Sequence, residues 1–252
     1  MKISIITICF NSASTLEDTI KSVLEQRYPN IEYIVIDGGS TDRTLEIIAK
    51  YKDRIATVIS EPDAGIYDAM NKGVNIATGD IIGILNSDDF YATDDVIGSL
   101  VQCFSDHADM LIGDAVFVSK RDVGKKLRVV SGAMFSPWQL RFGWMPAHPA
   151  TFVRRGVYET FGRYKTDFEI AADYEFFVRT LLVGHLETVH TSKVRVTMRD
   201  GGASTSGFRS TLVISREILR ALRENGVYSN LLFIWSRLPL KFISQVLFSR
   251  HR

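Results

Sequence analysis

The sequence predicts an α/β fold with a mainly parallel sheet and helices on both faces. Two observations carry that prediction. Short β-branched apolar runs alternate with helical patterns through the first half, and polar residues recur just past the end of each run. The length of 252 residues, with 46% hydrophobic and 23% charged, suits one such domain with a core of useful size.

The elements follow in order. Ile3–Cys9 reads as a buried strand rather than a signal peptide, because the run is short and meets Asn11-Ser12 without a small-residue cleavage pattern. Ser14-x-x-Glu17 reads as a capping box opening a helix with Leu16, Ile20, Val23 and Leu24 inward. Pro29 ends that region, and Ile31–Ile36 is a second strand with a turn at Asp37-Gly38-Gly39-Ser40. A short helix over 42–51, a strand over 55–59, a helix over 65–76 and a strand over 81–85 follow. Right-handed crossovers then place the strand ends along one edge, where such sheets bind ligands. Asn11, Asp37, Asp63 and Asp88-Asp89 all fall at that edge.

The second half is less regular. Strands are expected over 109–119, 127–131 and 189–198, and helices over 172–182 and 208–225, the last stopped by Gly226. Trp138, Phe142, Trp144 and Met145 form an aromatic-rich stretch between them.

Composition excludes several classes. Lysine plus arginine number 30 against 29 acids, a net charge of +1, which argues against a dedicated nucleic-acid binder. Cys9 and Cys103 provide neither zinc spacing nor a disulfide framework, so a reducing cytosol is the expected compartment. No apolar run reaches the length of a spanning helix. The charge is unevenly placed: residues 225–252 hold Arg237, Lys241, Arg250, Arg252 and no acid, which leaves residues 1–224 at net −3.

Several blocks carry chemistry. Asn86-Ser87-Asp88-Asp89 sets adjacent carboxylates at a strand end, where they repel unless a cation lies near. A hard divalent ion held by few protein oxygens and a substrate diphosphate suits that arrangement. Asp37 ends the second strand, placed to accept hydrogen bonds from a base or ribose, while Asp42 reads as a helix cap. Gly65 permits close backbone approach, and the helix after it presents Asp68, Asn71 and Lys72. Neither GxGxxG nor a Walker sequence occurs, which disfavours dinucleotide and P-loop sites.

The ordered blocks TICFN (7–11), DGGSTD (37–42), EPDAGIYDAMNKG (61–73), ATGD (77–80) and NSDD (86–89) resemble the family 2 inverting glycosyltransferases, in particular bacterial members of polysaccharide assembly. The likeness is specific over residues 1–90 and looser to about 226. It implies a GT-A fold, a nucleoside diphosphate sugar donor, most simply UDP-linked, and Mg²⁺ or Mn²⁺. By the same resemblance, Thr7 and Asn11 line the nucleotide pocket, Asp37 and Asp63 meet the base or ribose, and Lys72 nears the diphosphate. Asp89 becomes the metal ligand and Asp88 a sugar or ribose contact, because Asn86 stands where the family more often has aspartate. Asp173, in Ala172-Asp173-Tyr174-Glu175-Phe176-Phe177-Val178-Arg179, matches the family's general base, although Ala172 replaces its glutamate and Glu175 is a competing carboxylate. An N-cap role for Asp173 is compatible with this. His148 matches a segment along the acceptor cleft, and Arg199, before Gly201-Gly202, matches the loop that closes over the donor.

The expected division is a glycosyltransferase domain over 1–226, with a donor half (1–106) and an acceptor half (107–226), followed by a basic amphipathic segment over 227–252. That segment sets Leu231, Ile234, Trp235, Leu238 and Phe242 opposite Arg237 and Lys241, with a break at Pro239. Its composition fits an anionic bilayer surface, and docking on the domain or on a second subunit is the alternative. The whole reads as a cytoplasmic enzyme, peripheral on the inner face of the cell membrane, acting on a polyprenyl-diphosphate-linked saccharide. The competing classes are a metal-dependent nucleotidyltransferase, disfavoured by the lack of glycine in Cys9-Phe10-Asn11-Ser12, and an inactive nucleotide-sugar binder.

Overall fold

The computed structural model describes residues 1–104, 107–201 and 208–237. A single nine-stranded sheet runs through it. The first part is parallel: β1 (Ile3–Cys9) lies between β2 (Ile31–Asp37) and β4 (Ile81–Asn86), and β3 (Thr57–Ser60) adds to β2. Ile3 pairs with Ile31 on one side and Ile81 on the other, so the strands end together at Cys9, Asp37 and Asn86. β1 and β4 are buried along nearly their whole length, as continuous β-branched runs require in a sheet covered on both faces.

The second part makes the sheet mixed. β6 (Met110–Val118), β7 (Lys126–Val130), β8 (Thr151–Arg154) and β9 (Thr188–Arg199) extend it from β4 in the order β8-β6-β9, with β7 on β6. β8 is antiparallel to both β4 and β6, whereas β9 runs parallel to β6. The three-residue β5 (Asp89–Tyr91) pairs antiparallel with β9. That pairing ties the acidic strand end of the first half to the last strand of the second.

Helices cover both faces. One apolar layer holds Ile3, Ile5, Leu16, Ile20, Val35, Ile47 and Phe152, and gathers α1 (Leu16–Leu24), α2 (Thr44–Lys50) and α4 (Val96–Cys103). The other holds Ile6, Ile8, Met70, Tyr174, Phe176 and Leu222, and gathers α3 (Ile66–Ile76), α5 (Arg155–Phe161), α6 (Ala172–Phe177) and α7 (Phe208–Glu224). α3 lies close against β1: a Cβ on Gly73 would fall 2.4 Å from the Ile6 side chain.

Two local expectations are corrected. The capping box at Ser14 does not form. Thr15 occupies the N-cap without a side-chain bond, the Ser12 carbonyl takes the first helical amides, and Glu17 turns to the Tyr51 hydroxyl at 2.8 Å. The helix expected over 172–182 changes pitch at Val178 and continues as a π-turn to Val183.

The C-terminal segment is only partly within the described residues. α8 (Leu231–Trp235) is capped by Asn230, whose Oδ1 accepts the Phe233 amide at 3.0 Å. Ile234 is fully buried, and Arg237 is 6% exposed with its guanidinium donating to the Gly143 carbonyl at 3.0 Å. Arg237 therefore docks this segment on its own domain instead of facing outward. Leu238, Pro239, Lys241 and Phe242 lie outside the described residues.

Candidate active site

The crevice is built where β1, β2, β3 and β4 end. Asn11 follows β1 in the left-handed region, at φ 48°. Asparagine tolerates that conformation because its short side chain bonds locally. Here Asn11 Oδ1 accepts from the Thr41 amide at 2.9 Å, and its own amide donates to Ser40 Oγ at 2.8 Å. Asn11 thus binds the first strand–helix loop to the second.

Asp37 has no exposed surface. Its carboxylate accepts from the Ser40 amide at 3.1 Å, from Ser40 Oγ, and from Ser60 Oγ at 2.7 Å. In this arrangement it joins the ends of β2 and β3 and shapes the crevice wall. Thr7 is also fully buried, on the α1 face of β1, with Oγ1 3.1 Å from the Tyr33 hydroxyl. Contrary to expectation it faces the core and not the crevice, because strand alternation places it with Ile5 and Cys9.

Asp63 is half-buried and accepts the Gly65 amide at 2.9 Å. Gly38 makes room for it, since a Cβ there would lie 2.3 Å from Asp63 Oδ2. Lys72 points back along α3, 2.9 Å from Glu61 and 3.5 Å from Asp68, and donates to the Pro62 carbonyl at 3.0 Å. Its hydrogen bond to Glu61 holds the ammonium pKa above the usual lysine value.

The acidic end of β4 splits into two environments. Asp89 is 2% exposed, and Asn86 Nδ2 donates to its Oδ2 at 3.1 Å. Burial, then the neighbouring Asp88 charge, pushes the Asp89 carboxyl well above the usual range. Asp88 is half-buried, and burial also raises its pKa. The more open carboxylate is therefore that of Asp88, the reverse of the expected assignment of Asp89 as the direct metal ligand. Asn86 Oδ1 is buried with no hydrogen-bond partner. An orphaned amide oxygen beside two crowded carboxylates is an all-oxygen set that fits a hard divalent cation. Among the described residues no cluster of three His, Cys, Asp or Glu could close a complete cage.

Arg199 braces this acid loop. It is 8% exposed, donates to the Asp88 carbonyl at 2.8 Å, pairs with Asp18 at 2.5 Å, and lies 4.8 Å over the Phe90 ring. It also walls a cavity of about 400 Å³ bordered by Asp18, Lys21, Phe90 and Asp94. The sequence expectation of a guanidinium closing over a diphosphate meets a different geometry, in which β5–β9 pairing holds Arg199 behind Asp88. Residues 202–207, which continue the Gly-rich loop, lie outside the described residues.

Asp173 stands in the first turn of α6, beside Tyr67 of α3. Ala171, not Asp173, occupies the N-cap. Asp173 Oδ1 accepts the Tyr174 amide at 2.8 Å and lies 3.3 Å from the Tyr67 hydroxyl, which also donates to the Ile170 carbonyl. Both hydrogen bonds of the carboxylate described here fall on Oδ1, leaving Oδ2 for a hydroxyl to be deprotonated. Burial pushes the Asp173 carboxyl up to about 6, a suitable poise for a base at neutral pH. The competing carboxylate, Glu175, is fully buried and held by Arg179 at 3.0 Å and Lys165 at 3.2 Å, so it is structural.

His148 is 8% exposed, and its Nε2 lies 2.9 Å from the Tyr164 hydroxyl, which meets the Tyr158 hydroxyl at 2.9 Å. Burial pushes the imidazole down to about 4. It is a neutral core group, so the direct acceptor contact expected of it is not what this geometry presents.

Sequence reasoning missed the connecting residues. Tyr67 and Asn71 lie inside the third motif, but their targets are distant. Asn71 exchanges two hydrogen bonds with the Tyr164 backbone, at 2.8 and 3.0 Å. Glu217 on α7 had no local signal.

Known proteins share the family and the fold. The family model described as glycosyl transferase family 2 matches residues 4–161. An uncharacterised glycosyltransferase of Mycobacterium tuberculosis is 40% identical over 185 residues, covering 72% of this chain and 69% of its own. The Escherichia coli UDP-Glc:α-D-GlcNAc-diphosphoundecaprenol β-1,3-glucosyltransferase is 34% identical over 145 residues, covering 57% of this chain and 55% of its own. A Pyrobaculum calidifontis mannosyltransferase solved with GDP-Man and Mn²⁺ superposes with a TM-score of 0.66 at 17% identity, over 88% of this chain and 63% of that one. The fold is the GT-A arrangement of such neighbours, and this chain belongs to glycosyl transferase family 2.

Proposed function

We propose that this glycosyltransferase moves a sugar from a nucleoside diphosphate sugar, UDP-linked, to a saccharide hydroxyl on a lipid-linked intermediate, with inversion at the anomeric carbon. The observation that carries the reading is Asp173: a half-buried carboxylate with one free oxygen, poised near 6, joined through Tyr67 to the helix that begins at the donor crevice. Oδ2 takes the acceptor proton as the hydroxyl attacks, and Tyr67 and the Tyr174 amide steady Oδ1. A single displacement of this kind inverts the centre.

On the donor side, Asn11, Asp37 and Asp63 form the nucleotide wall, and Lys72 exchanges Glu61 for a phosphate. Asp88 and Asn86 Oδ1 would hold Mg²⁺ or Mn²⁺, with Asp89 oriented behind them. When bound, that ion offsets the charge developing on the departing diphosphate. The E. coli relative's UDP-glucose donor and diphosphoundecaprenol-linked acceptor, and the mannosyltransferase's Mn²⁺, support these choices.

A membrane-peripheral location fits one face of the molecule. Phe142 stacks on Phe233 at 5.1 Å and meets Trp138 edge-on at 5.7 Å. Trp138, Leu232, Phe233 and Trp235 around them are exposed, Leu232 by 77%. No described helix is long and apolar enough to cross a membrane. Aromatic and aliphatic side chains beside a basic segment suit the interface of an anionic bilayer. We assign residues 1–226 to the catalytic domain and 227–252 to this attachment.

The direct test is incubation of the purified chain with Mn²⁺, a panel of nucleotide sugars and a polyprenyl-diphosphate-linked sugar, with the product linkage read by NMR. Transfer from a UDP-sugar with inverted anomeric configuration is expected. Retention of configuration, or nucleotide transfer in place of sugar transfer, would overturn the assignment.

A further inference from the structure

α6 begins without a side-chain cap of its own, since Ala171 has none to offer. The three residues that lead into it, 169–171, nevertheless have their amides held by one side chain. Glu217, in the middle of α7, takes the Glu169 amide on Oε1 at 2.6 Å and the Ile170 and Ala171 amides on Oε2, both at 2.9 Å. A carboxylate accepting three consecutive backbone N–H groups holds that stretch of chain firmly, because its charge strengthens each hydrogen bond. The clamped segment leads directly into Asp173, and its Ile170 carbonyl receives the Tyr67 hydroxyl that also faces Asp173.

We propose that Glu217 is a positioning residue for sugar transfer: it fixes the 169–171 backbone, and through it the place and orientation of the Asp173 carboxylate. The inference rests on the assignment of Asp173 as base.

Neighbouring residues show that the grip is specific. Arg220 and Glu224 lie on the same stripe of α7 and hold the preceding part of the loop, Arg220 through Asp167 and Glu224 through Lys165 at 2.8 Å. They reach side chains or backbone six and eight residues before the base. Glu217 reaches the nearer residues 169–171, where Tyr67 also holds the Ile170 carbonyl. After burial, the nearby Glu217 charge also raises the Asp173 carboxyl. The other titratable groups facing Asp173 are Tyr67 from α3 and Tyr164 from the loop before α6. On α6 itself, Glu175 turns away to Arg179, Lys165 and Asn225. A clamp of this kind acts on proton affinity as well as geometry. Removing its charge moves the base downward.

The test compares Glu217→Gln, Glu217→Asp and Arg220→Ala in the full chain, with melting temperature, kcat, KM for both substrates, and the pH profile. Gln matches the size of Glu but presents an amide N–H where acceptors are needed. We expect Glu217→Gln to lower kcat at least tenfold with donor KM within twofold, and to move the acidic limb of kcat/KM below its position near pH 6. Asp at 217 restores part of the rate and of the limb. Arg220→Ala lowers the melting temperature and leaves the limb in place. Unchanged kcat and limb in Glu217→Gln, with a melting temperature reduced as in Arg220→Ala, would reduce Glu217 to a structural tie and overturn the inference. Asp173→Asn separates the two claims. If it retains turnover, the base assignment falls; if it is inactive while Glu217→Gln is normal, only the positioning role falls.

Discussion

The Tyr67 hydroxyl donates to the Ile170 carbonyl and lies 3.3 Å from Asp173 Oδ1, so one side chain from the third sequence motif meets the candidate base 106 residues away. Tyr67 lies in the first turn of α3, two residues after Gly65 of the Asp63-Ala64-Gly65 turn at the donor crevice. The two halves of the site are therefore held by a common element. Removing the hydroxyl in Tyr67→Phe deletes a bond worth roughly 1 kcal/mol and keeps the ring packed against Tyr164. We expect kcat to fall about five- to tenfold with little change in donor affinity, measured by steady-state kinetics and nucleotide titration; an equal loss of donor affinity would place Tyr67 in the nucleotide pocket.

Asp173 makes activity and stability respond oppositely to pH. Its carboxyl rises from 3.8 to about 6 because burial disfavours the charge. Transfer therefore falls as the pH drops through about 6 and the base becomes protonated. The folded state binds this proton more readily than the unfolded chain, so the ionised group destabilises fully above about 6, and the cost fades between about 6 and 3.8. Asp173→Asn should lose transfer by roughly 10²- to 10⁴-fold, keep UDP binding, and melt higher than the parent at pH 8. That gain should shrink toward pH 4. A constant difference across the range would show that the carboxyl is not raised.

The acid loop should report metal without any turnover. Asn86→Asp adds a third carboxylate beside Asp88 and Asp89, two groups already raised by burial. In a chelator the variant should melt below the parent, and Mn²⁺ should stabilise it more than it stabilises the parent. Asn86→Leu, which lacks the orphaned Oδ1, should lose most of the Mn²⁺ response. Equal Mn²⁺ shifts in all three proteins would place the ion elsewhere.

Gly38 is a steric test of the nucleotide wall. A methyl group there meets Asp63 Oδ2 at 2.3 Å, so Gly38→Ala must displace the carboxylate. Donor affinity should drop about tenfold or more with the fold intact by circular dichroism. Unaltered donor binding would remove Asp63 from the wall.

The exposed aromatic face predicts where the molecule meets lipid. Leu232→Glu combined with Trp138→Glu changes two side chains that are 77% and 58% exposed, so stability should move little. Sedimentation with anionic vesicles should decline sharply, while activity on a soluble acceptor stays near normal. Vesicle binding at the parent level would exclude this face as the contact.

The sequence by itself determined the parallel half of the sheet and the list of polar residues at its edge. Runs such as Ile3–Cys9 and Ile81–Leu85 are long, uniform and β-branched, and the loops after them carry their chemistry within five or six residues. Local spacing is enough to read such features. It did not reveal β5, whose three residues are too short for periodicity, nor β8, whose place between β4 and β6 depends on strands from both halves. Nor could it rank the acids. Asp37, Asp88 and Asp89 look alike in sequence, and only burial and partners separate a wall, an open carboxylate and a sealed one. The tertiary structure decided the rest for the same reason. Asn71, Tyr67 and Glu217 act on backbone atoms 46 to 103 residues away. A hydrogen bond across such separations is a property of packed helices and leaves no pattern in the chain.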